Sequence, residues 1–276
     1  MIRLIGIDVD GTLLDSSGHL PHENVVAIQD AVSAGIHVAL VTGRSYPWAR
    51  PVAELLPESV SLIVSNGAVS RSHDGTTIDR RLLPVTTARS VLEATRHVRS
   101  SAALIFDRDQ AGQIVFESMD WAHPGRRGYF ERNRELIAQA ETLEAALIED
   151  PIQVMFNGGV MAMRDLARLI DGSPDYVVSV TEYEARDFTL VDVTSREATK
   201  GLALGRRAAA LGVPRESIMA IGDNFNDLGM LEAAGVPVVM GNAVEPLKNR
   251  GWPVTGHQDE AGLAQAIRRF ALGKRA

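Results

Sequence analysis

The chain contains no cysteine. That excludes a disulfide framework, a thiolate zinc site, an iron–sulfur cluster and a cysteine nucleophile, and it fits a reducing cytoplasm. Lysine is nearly missing too, standing only at Lys200, Lys248 and Lys274 while arginine supplies every other basic side chain. Arginine and lysine differ in shape, hydration and tunability, so a lysine kept inside so arginine-rich a chain points to a specific requirement. Aromatic residues are only 5% of the total. No apolar run approaches the roughly 18 residues of a membrane span. The N-terminal stretch MIRLIGIDVDG is broken by Asp8 and Asp10, unlike a signal peptide. Positive charge is in deficit, with 28 basic against 35 acidic residues and a net charge of −7. Such a surface repels nucleic acid and anionic lipid, so neither is expected as a partner.

What is present is an ordinary globular composition, 45% apolar and 23% charged over 276 residues, enough for one large domain or two of common size. Residues 2–9, 36–41 and 60–64 read as strands buried on both faces. Helical periodicity lies between the first two, and a short helix around 48–56 lies between the second and third. Strand–helix–strand alternation of this kind predicts a parallel sheet covered by helices. From Pro84 to Phe188 the grammar changes to helices near 87–99, 131–136 and 163–170 among strands at 103–106, 114–117, 152–156 and 176–180, which predicts an α+β unit. The first grammar then returns, with helices over 199–211, 225–233 and 260–272 and strands over 218–221 and 236–240. The expected organisation is a discontinuous Rossmann-like α/β core, 1–83 with 189–276, interrupted by an α+β cap domain at 84–188. The insert holds eleven arginines, no lysine and 17 acids, so it carries most of the negative charge.

In a parallel sheet, ligands bind beyond the carboxyl ends of the strands. Four polar clusters fall at that edge: Asp8-Val9-Asp10-Gly11-Thr12, Thr42-Gly43-Arg44, Ser65-Asn66-Gly67 and Gly222-Asp223-Asn224-Phe225-Asn226-Asp227. A carboxylate closing a buried strand, as Asp8 does, is costly unless paired or metal-bound. An EF-hand is excluded, because Asp10-Gly11 at loop positions five and six would put Gly6 and Ser17 where carboxylates belong. No dinucleotide fingerprint follows the first strand, and no Walker loop occurs anywhere. Asp223 and Asp227 stand four apart at a helix start and can face one site, although capping is the ordinary use of such residues. Together with Asp8 they make an oxygen-rich site free of cysteine and poor in histidine, which suits Mg²⁺. Thr42, the Gly43 amide and Lys200, at the start of the helix after the insert, are candidates to hold a phosphate.

These residues resemble, in order and spacing, the four motifs of the haloacid dehalogenase superfamily. Asp8-Val9-Asp10-Gly11-Thr12-Leu13 is similar to the first, Thr42-Gly43-Arg44 to the second, Lys200-Gly201 to the third, and the Gly222–Asp227 run to the G-D-x-x-N-D form of the fourth. Ser65-Asn66-Gly67-Ala68 before a long insert and Met240-Gly241-Asn242-Ala243 near the end resemble the Cof-like branch with its class IIB α/β cap. Two departures are visible: Thr199 precedes the lysine where many relatives have serine, and the tail from Val254 to Glu260 lacks the asparagine often found before its acidic pair. The resemblance implies a Mg²⁺-dependent phosphatase of small phosphorylated metabolites, sugar phosphates or similar. Asp8 would be the nucleophile that forms an aspartyl-phosphate, and Asp10 the general acid and base. The metal would be held by the Asp8 carboxylate, the Asp10 carbonyl and Asp223, with Asp227 orienting water or Lys200. Thr42, Gly43, Lys200 and Asn226 would hold the phosphoryl oxygens. The cap would close over the site, and its loop 118–129, with Trp121, His123, Arg126, Arg127 and Tyr129, is either a specificity loop or a solvated hairpin tip. A phosphomutase on the same scaffold, and a non-catalytic sensor, are the alternatives.

Overall fold

The computed structural model describes residues 1–119, 121 and 123–273. Asp120 and Ala122 of the expected specificity loop, and the last three residues with Lys274, lie outside that description. In chain order the elements begin β1 (Leu4–Ile7), α1 (His22–Ser33), β2 (His37–Val41), α2 (Tyr46–Ala53), β3 (Ser61–Val64), β4 (Val69–Arg71) and β5 (Thr77–Arg80). They continue α3 (Val85–Ala94), β6 (Ala102–Ile105), β7 (Ile114–Phe116), α4 (Pro124–Asn133), β8 (Ile137–Gln139), α5 (Leu143–Ala146), β9 (Gln153–Gly158), α6 (Val160–Ile170), β10 (Tyr176–Tyr183) and β11 (Phe188–Ser195). The last group is α7 (Lys200–Ala210), β12 (Ile218–Gly222), α8 (Leu228–Ala233), β13 (Val236–Val239), α9 (Glu245–Lys248) and α10 (Gly262–Ala266).

Two compact units result, Met1–Arg80 with Glu197–Ala276, and Arg81–Arg196. The second reaches beyond the expected return at 189 because β11 is a strand of its own sheet, paired to β10 on one side and β9 on the other.

The first unit is built on a seven-stranded sheet in the order β13-β12-β1-β2-β3-β4-β5. Its first five strands are parallel, and the β4–β5 hairpin adds an antiparallel edge. The central strand β1, Leu-Ile-Gly-Ile, is buried throughout, as a strand covered by helices on both faces must be. Gly6 lets α7 approach it, since a Cβ there would collide with Leu204. The sequence pattern misses β4 and β5: they are short and polar, with no apolar run to announce them.

The second unit carries a six-stranded sheet, β10-β11-β9-β6-β7-β8, antiparallel except where β7 meets β8. Strand side chains alternate between faces. One set, including Leu104, Val115, Val154, Phe156, Val191 and Val193, packs into a core with Leu92 of α3, Leu143 of α5 and Met163 and Leu166 of α6. The helix expected over 87–99 stops at Ala94 and passes into tighter turns through Ser101. That expected over 131–136 lies earlier, as α4. His123 caps α4 by accepting the Gly125 N–H, and Pro124 at the first turn suits a position where no amide hydrogen is needed. Residues 124–129 are therefore the start of a helix and not a solvated hairpin tip: Arg126 is buried, with Nε donating to Asn157 Oδ1 at 2.7 Å and a terminal nitrogen to Ser101 Oγ at 2.7 Å.

Asp192 of β11 projects from the sheet face opposite that core, where Gln153 Nε2 donates to its Oδ1 at 2.7 Å. Burial pushes its carboxyl up to about 7. A carboxyl whose folded pKa lies above its unfolded value binds its proton more tightly in the native state. Its contribution is present below about pH 4 and is lost as pH rises toward 7. Asp192→Asn removes that loss. Because Asp192 keeps some contact with solvent, the gain is set at roughly 1–3 kcal/mol at pH 8 and near zero at pH 4. Urea midpoints of both proteins at the two pH values test this; an equal difference at each would refute it.

Candidate active site

Asp8 is the residue that follows β1, and the strands flanking β1 deliver Asp223 from the end of β12 and Thr42 from the end of β2. After β1 the chain lays β2 and β3 on one side, then returns to lay β12 and β13 on the other. The order thus reverses between β1 and β12, and such a switch point opens a crevice at the carboxyl ends of the strands. Lys200 opens α7, whose start is fixed by Thr199, its Oγ1 accepting the Leu202 N–H at 3.2 Å.

These parts converge on a buried ion cluster. Lys200 Nζ donates to Asp8 Oδ1 at 2.5 Å and to Asp227 Oδ1 at 2.7 Å. Asp8, Lys200 and Asp227 are 5%, 2% and 0% exposed. The other oxygen of Asp227 accepts the N–H groups of Asp223 at 3.0 Å and Asn224 at 3.1 Å. Asp227 therefore caps its turn and braces Lys200 at once, so the structural and functional uses of this acid coincide. Thr12 Oγ1 donates to Asp223 Oδ1 at 3.1 Å. Asp8, Asp223 and Asp227 each offer an oxygen within 4.8 Å of the others.

Burial pushes the Asp8 carboxyl well above its ordinary range; Lys200 opposes the shift and Asp227 adds to it. Burial also lifts Asp223, to about 6, with the Asp227 charge contributing. Burial acts to lower the Lys200 ammonium, but Asp8 and Asp227 outweigh it and hold it above its usual value. Three carboxylates and one ammonium sum to −2 when fully ionised. A divalent cation would balance that charge, and the oxygen donors suit a hard ion. The residues present therefore fit Mg²⁺. Gly11 supports the fit: its φ is +85°, and a side chain there would collide with the Asp223 carboxylate.

Asp10 does not join this cluster through its carboxylate. It is 62% exposed at the side chain and gripped by Arg44, with Nε on Oδ2 at 2.9 Å and a terminal nitrogen on Oδ1 at 2.6 Å. Arg44 is a functional residue whose role the sequence pattern does not show. The signal was the third letter of Thr42-Gly43-Arg44. Thr42 is buried, and its Oγ1 accepts the Arg44 N–H at 3.1 Å. The Ser65–Gly67 turn braces this loop: Ser65 N donates to Arg44 O and Asn66 N to Thr42 O. Asn226 stands exposed on the turn that carries Asp227.

A family profile described as haloacid dehalogenase-like hydrolase matches residues 5–267. The chain belongs to this family. The 5-amino-6-(5-phospho-D-ribitylamino)uracil phosphatase YcsE of Bacillus subtilis is 29% identical over 98% of this chain and 96% of its own. The pyridoxal phosphate phosphatase YbhA of Escherichia coli is 29% identical over 96% and 97%. Among solved structures, a phosphatase of the haloalkanoate superfamily from Bacteroides thetaiotaomicron superposes with a TM-score of 0.81 at 26% identity, covering 99% of this chain and 96% of that one. Among the described residues of this hydrolase, no helix is long and apolar enough to cross a membrane.

Proposed function

We propose that this hydrolase is a Mg²⁺-dependent phosphatase of small phosphorylated metabolites that works through an aspartyl-phosphate. The observation that carries the reading is the buried Asp8–Lys200–Asp227 cluster with Asp223 beside it, at the switch point of the sheet. The phosphatase names of similar proteins support the reaction class. The metal would be held by the Asp8 carboxylate, the Asp10 carbonyl and Asp223, and when bound it offsets the repulsion between a carboxylate and a phosphate dianion.

Asp8 attacks phosphorus as the ester oxygen departs, and the Asp10 carboxyl gives that oxygen its proton. Asp10, now a carboxylate, takes a proton from water as the water attacks the acyl phosphate, which frees Asp8 and inorganic phosphate. Arg44 holds Asp10 by charge-assisted bonds to both of its oxygens, and these weaken when the carboxyl carries the proton it delivers. Lys200, Thr42 and the Gly43 amide hold the phosphoryl oxygens, with Asn226 as a further donor. Asp227 keeps Lys200 charged and aimed. The Arg81–Arg196 unit is assigned the choice of substrate.

The test is phosphate release from p-nitrophenyl phosphate and a panel of sugar and cofactor phosphates, with Mg²⁺ and with EDTA. Release in Mg²⁺ that EDTA removes and added Mg²⁺ restores is the expected result. No release from any ester by the folded, metal-loaded chain would sink the proposal; release seen only with a bisphosphate activator would favour the mutase.

A further inference from the structure

The Met240-Gly241-Asn242-Ala243 motif has no part in the chemistry above, yet it lies across the two loops that carry the acids. Asn242 Nδ2 donates to the carbonyl of Gly11 at 2.7 Å, and Asn242 Oδ1 accepts the N–H of Gln258 at 2.9 Å. Two residues on, Val244 N donates to the carbonyl of Asp223 at 3.0 Å. Met240 N donates to Gly222 O at 3.1 Å. One short segment therefore holds the turn after β1 by a side chain and the turn after β12 by its backbone. These turns bear Asp10 and Asp223. They touch directly as well, through Thr12 on Asp223 and through the close approach of Gly11 to the same carboxylate.

From this we infer that Asn242 is a positioning residue for the cation site: it sets the spacing between the Asp8–Asp10 loop and Asp223. The inference rests on the metal reading given above. Bridging a carbonyl and an N–H takes a side chain that both donates and accepts, and the Asn242 amide does so from Nδ2 and Oδ1. The rest of the loop is held by other contacts. Asn24 Nδ2 donates to Leu13 O at 2.9 Å, and Asp259 Oδ1 accepts the Ser16 N–H at 2.8 Å. Removing Asn242 therefore frees the Gly11 turn without releasing the whole loop. Groups that orient metal ligands from behind typically govern 10–100-fold in affinity.

The experiment uses the full chain stripped of metal, with Mg²⁺ titrated by calorimetry and the melting temperature recorded without metal. Asn242→Ala removes these side-chain bonds together with a third, longer one from Nδ2 to Gln258 Oε1 at 3.4 Å. Asn242→Leu removes them while keeping bulk, in case the smaller side chain does not fold. Thr255→Val is the structural control. It deletes the 2.7 Å bond from Thr255 Oγ1 to Gly262 O in the same C-terminal segment and touches neither acidic loop. The Asn242 variants are expected to bind Mg²⁺ about tenfold more weakly or worse, and Thr255→Val to bind it as the wild type does. Phosphate release by the Asn242 variants should recover as Mg²⁺ is raised, while KM for p-nitrophenyl phosphate moves less than about threefold. Asn242 variants that melt lower yet bind Mg²⁺ normally would overturn the inference. So would failure of both to fold while Thr255→Val folds, since that assigns Asn242 to stability alone. A wild-type chain that binds no Mg²⁺ would overturn the metal reading itself, and the inference with it.

Discussion

Asp8→Asn is expected to abolish phosphate release, by about 10⁴-fold or more, because it deletes the attacking atom rather than one stabilising contact. The same substitution is expected to leave the metal-free protein as stable as the wild type or more so. Asp8 is a buried carboxylate whose ionised form is disfavoured by desolvation. The amide has nearly its shape and no charge to desolvate. Lys200 keeps Asp227 at 2.7 Å, so the cation is not stranded. The sign with pH follows from the raised Asp8 pKa: the wild type loses stability as pH rises above the unfolded carboxyl range near 4, and the variant escapes that part of the loss. Single-turnover phosphate release and melting curves at pH 5 and pH 8 decide the matter. Residual turnover within tenfold of wild type would remove Asp8 as nucleophile. A melting temperature that collapses would show that the carboxylate is needed for folding.

Lys200→Met should have the larger effect on stability. It strips the shared donor from Asp8 and Asp227 and leaves two buried carboxylates facing each other, with Asp223 close by. Breaking a buried ion pair by removing one partner typically costs about 3–5 kcal/mol. Lysine is charged at every pH from 5 to 8, so the pH dependence belongs to the acids. Asp8 and Asp223, both raised by burial, carry protons more readily at pH 5 than at pH 8, so the repulsion and the deficit should grow between the two. Mg²⁺ should restore part of the lost stability by supplying the missing positive charge. Activity should fall by about 10²–10³, the usual consequence of losing one donor to a transferring group. Melting temperatures at both pH values, with and without Mg²⁺, test the set. A deficit that is equal at both pH values and untouched by Mg²⁺ would contradict the assigned role.

The site and the sheet that carries it were legible in different degrees. Asp8, Thr42, Lys200, Asp223 and Asp227 were legible because each abuts an apolar run whose end marks a strand or helix boundary. Their order also matches a known set of motifs. Lys200 was conspicuous by scarcity alone. Arg44 was overlooked because its use depends on where the Asp10 side chain turns, and no pattern along the chain encodes a rotamer. The loop at 118–129 left two readings open for a related reason: no pattern along the chain shows that Arg126 lies inside, on Asn157 and Ser101. Strands β4, β5 and β8 were missed, since short or polar strands derive their stability from the neighbours they pair with; β11, eight residues with Val191 and Val193 in the core, was missed because the core grammar was expected to resume at 189.

By itself the sequence determined the alternation of buried strands and helices, the placing of acids at strand ends, and the exclusion of thiol chemistry. These are local properties, set by hydrophobic period and residue type. Tertiary structure alone decided that one ammonium serves two carboxylates from distant segments, that Asp10 rests on Arg44, and that Asn242 reaches Gly11. Each of those contacts joins residues far apart in the chain at a distance of 2.5–2.9 Å. Hydrogen bonding and desolvation act only on groups that folding has already brought together.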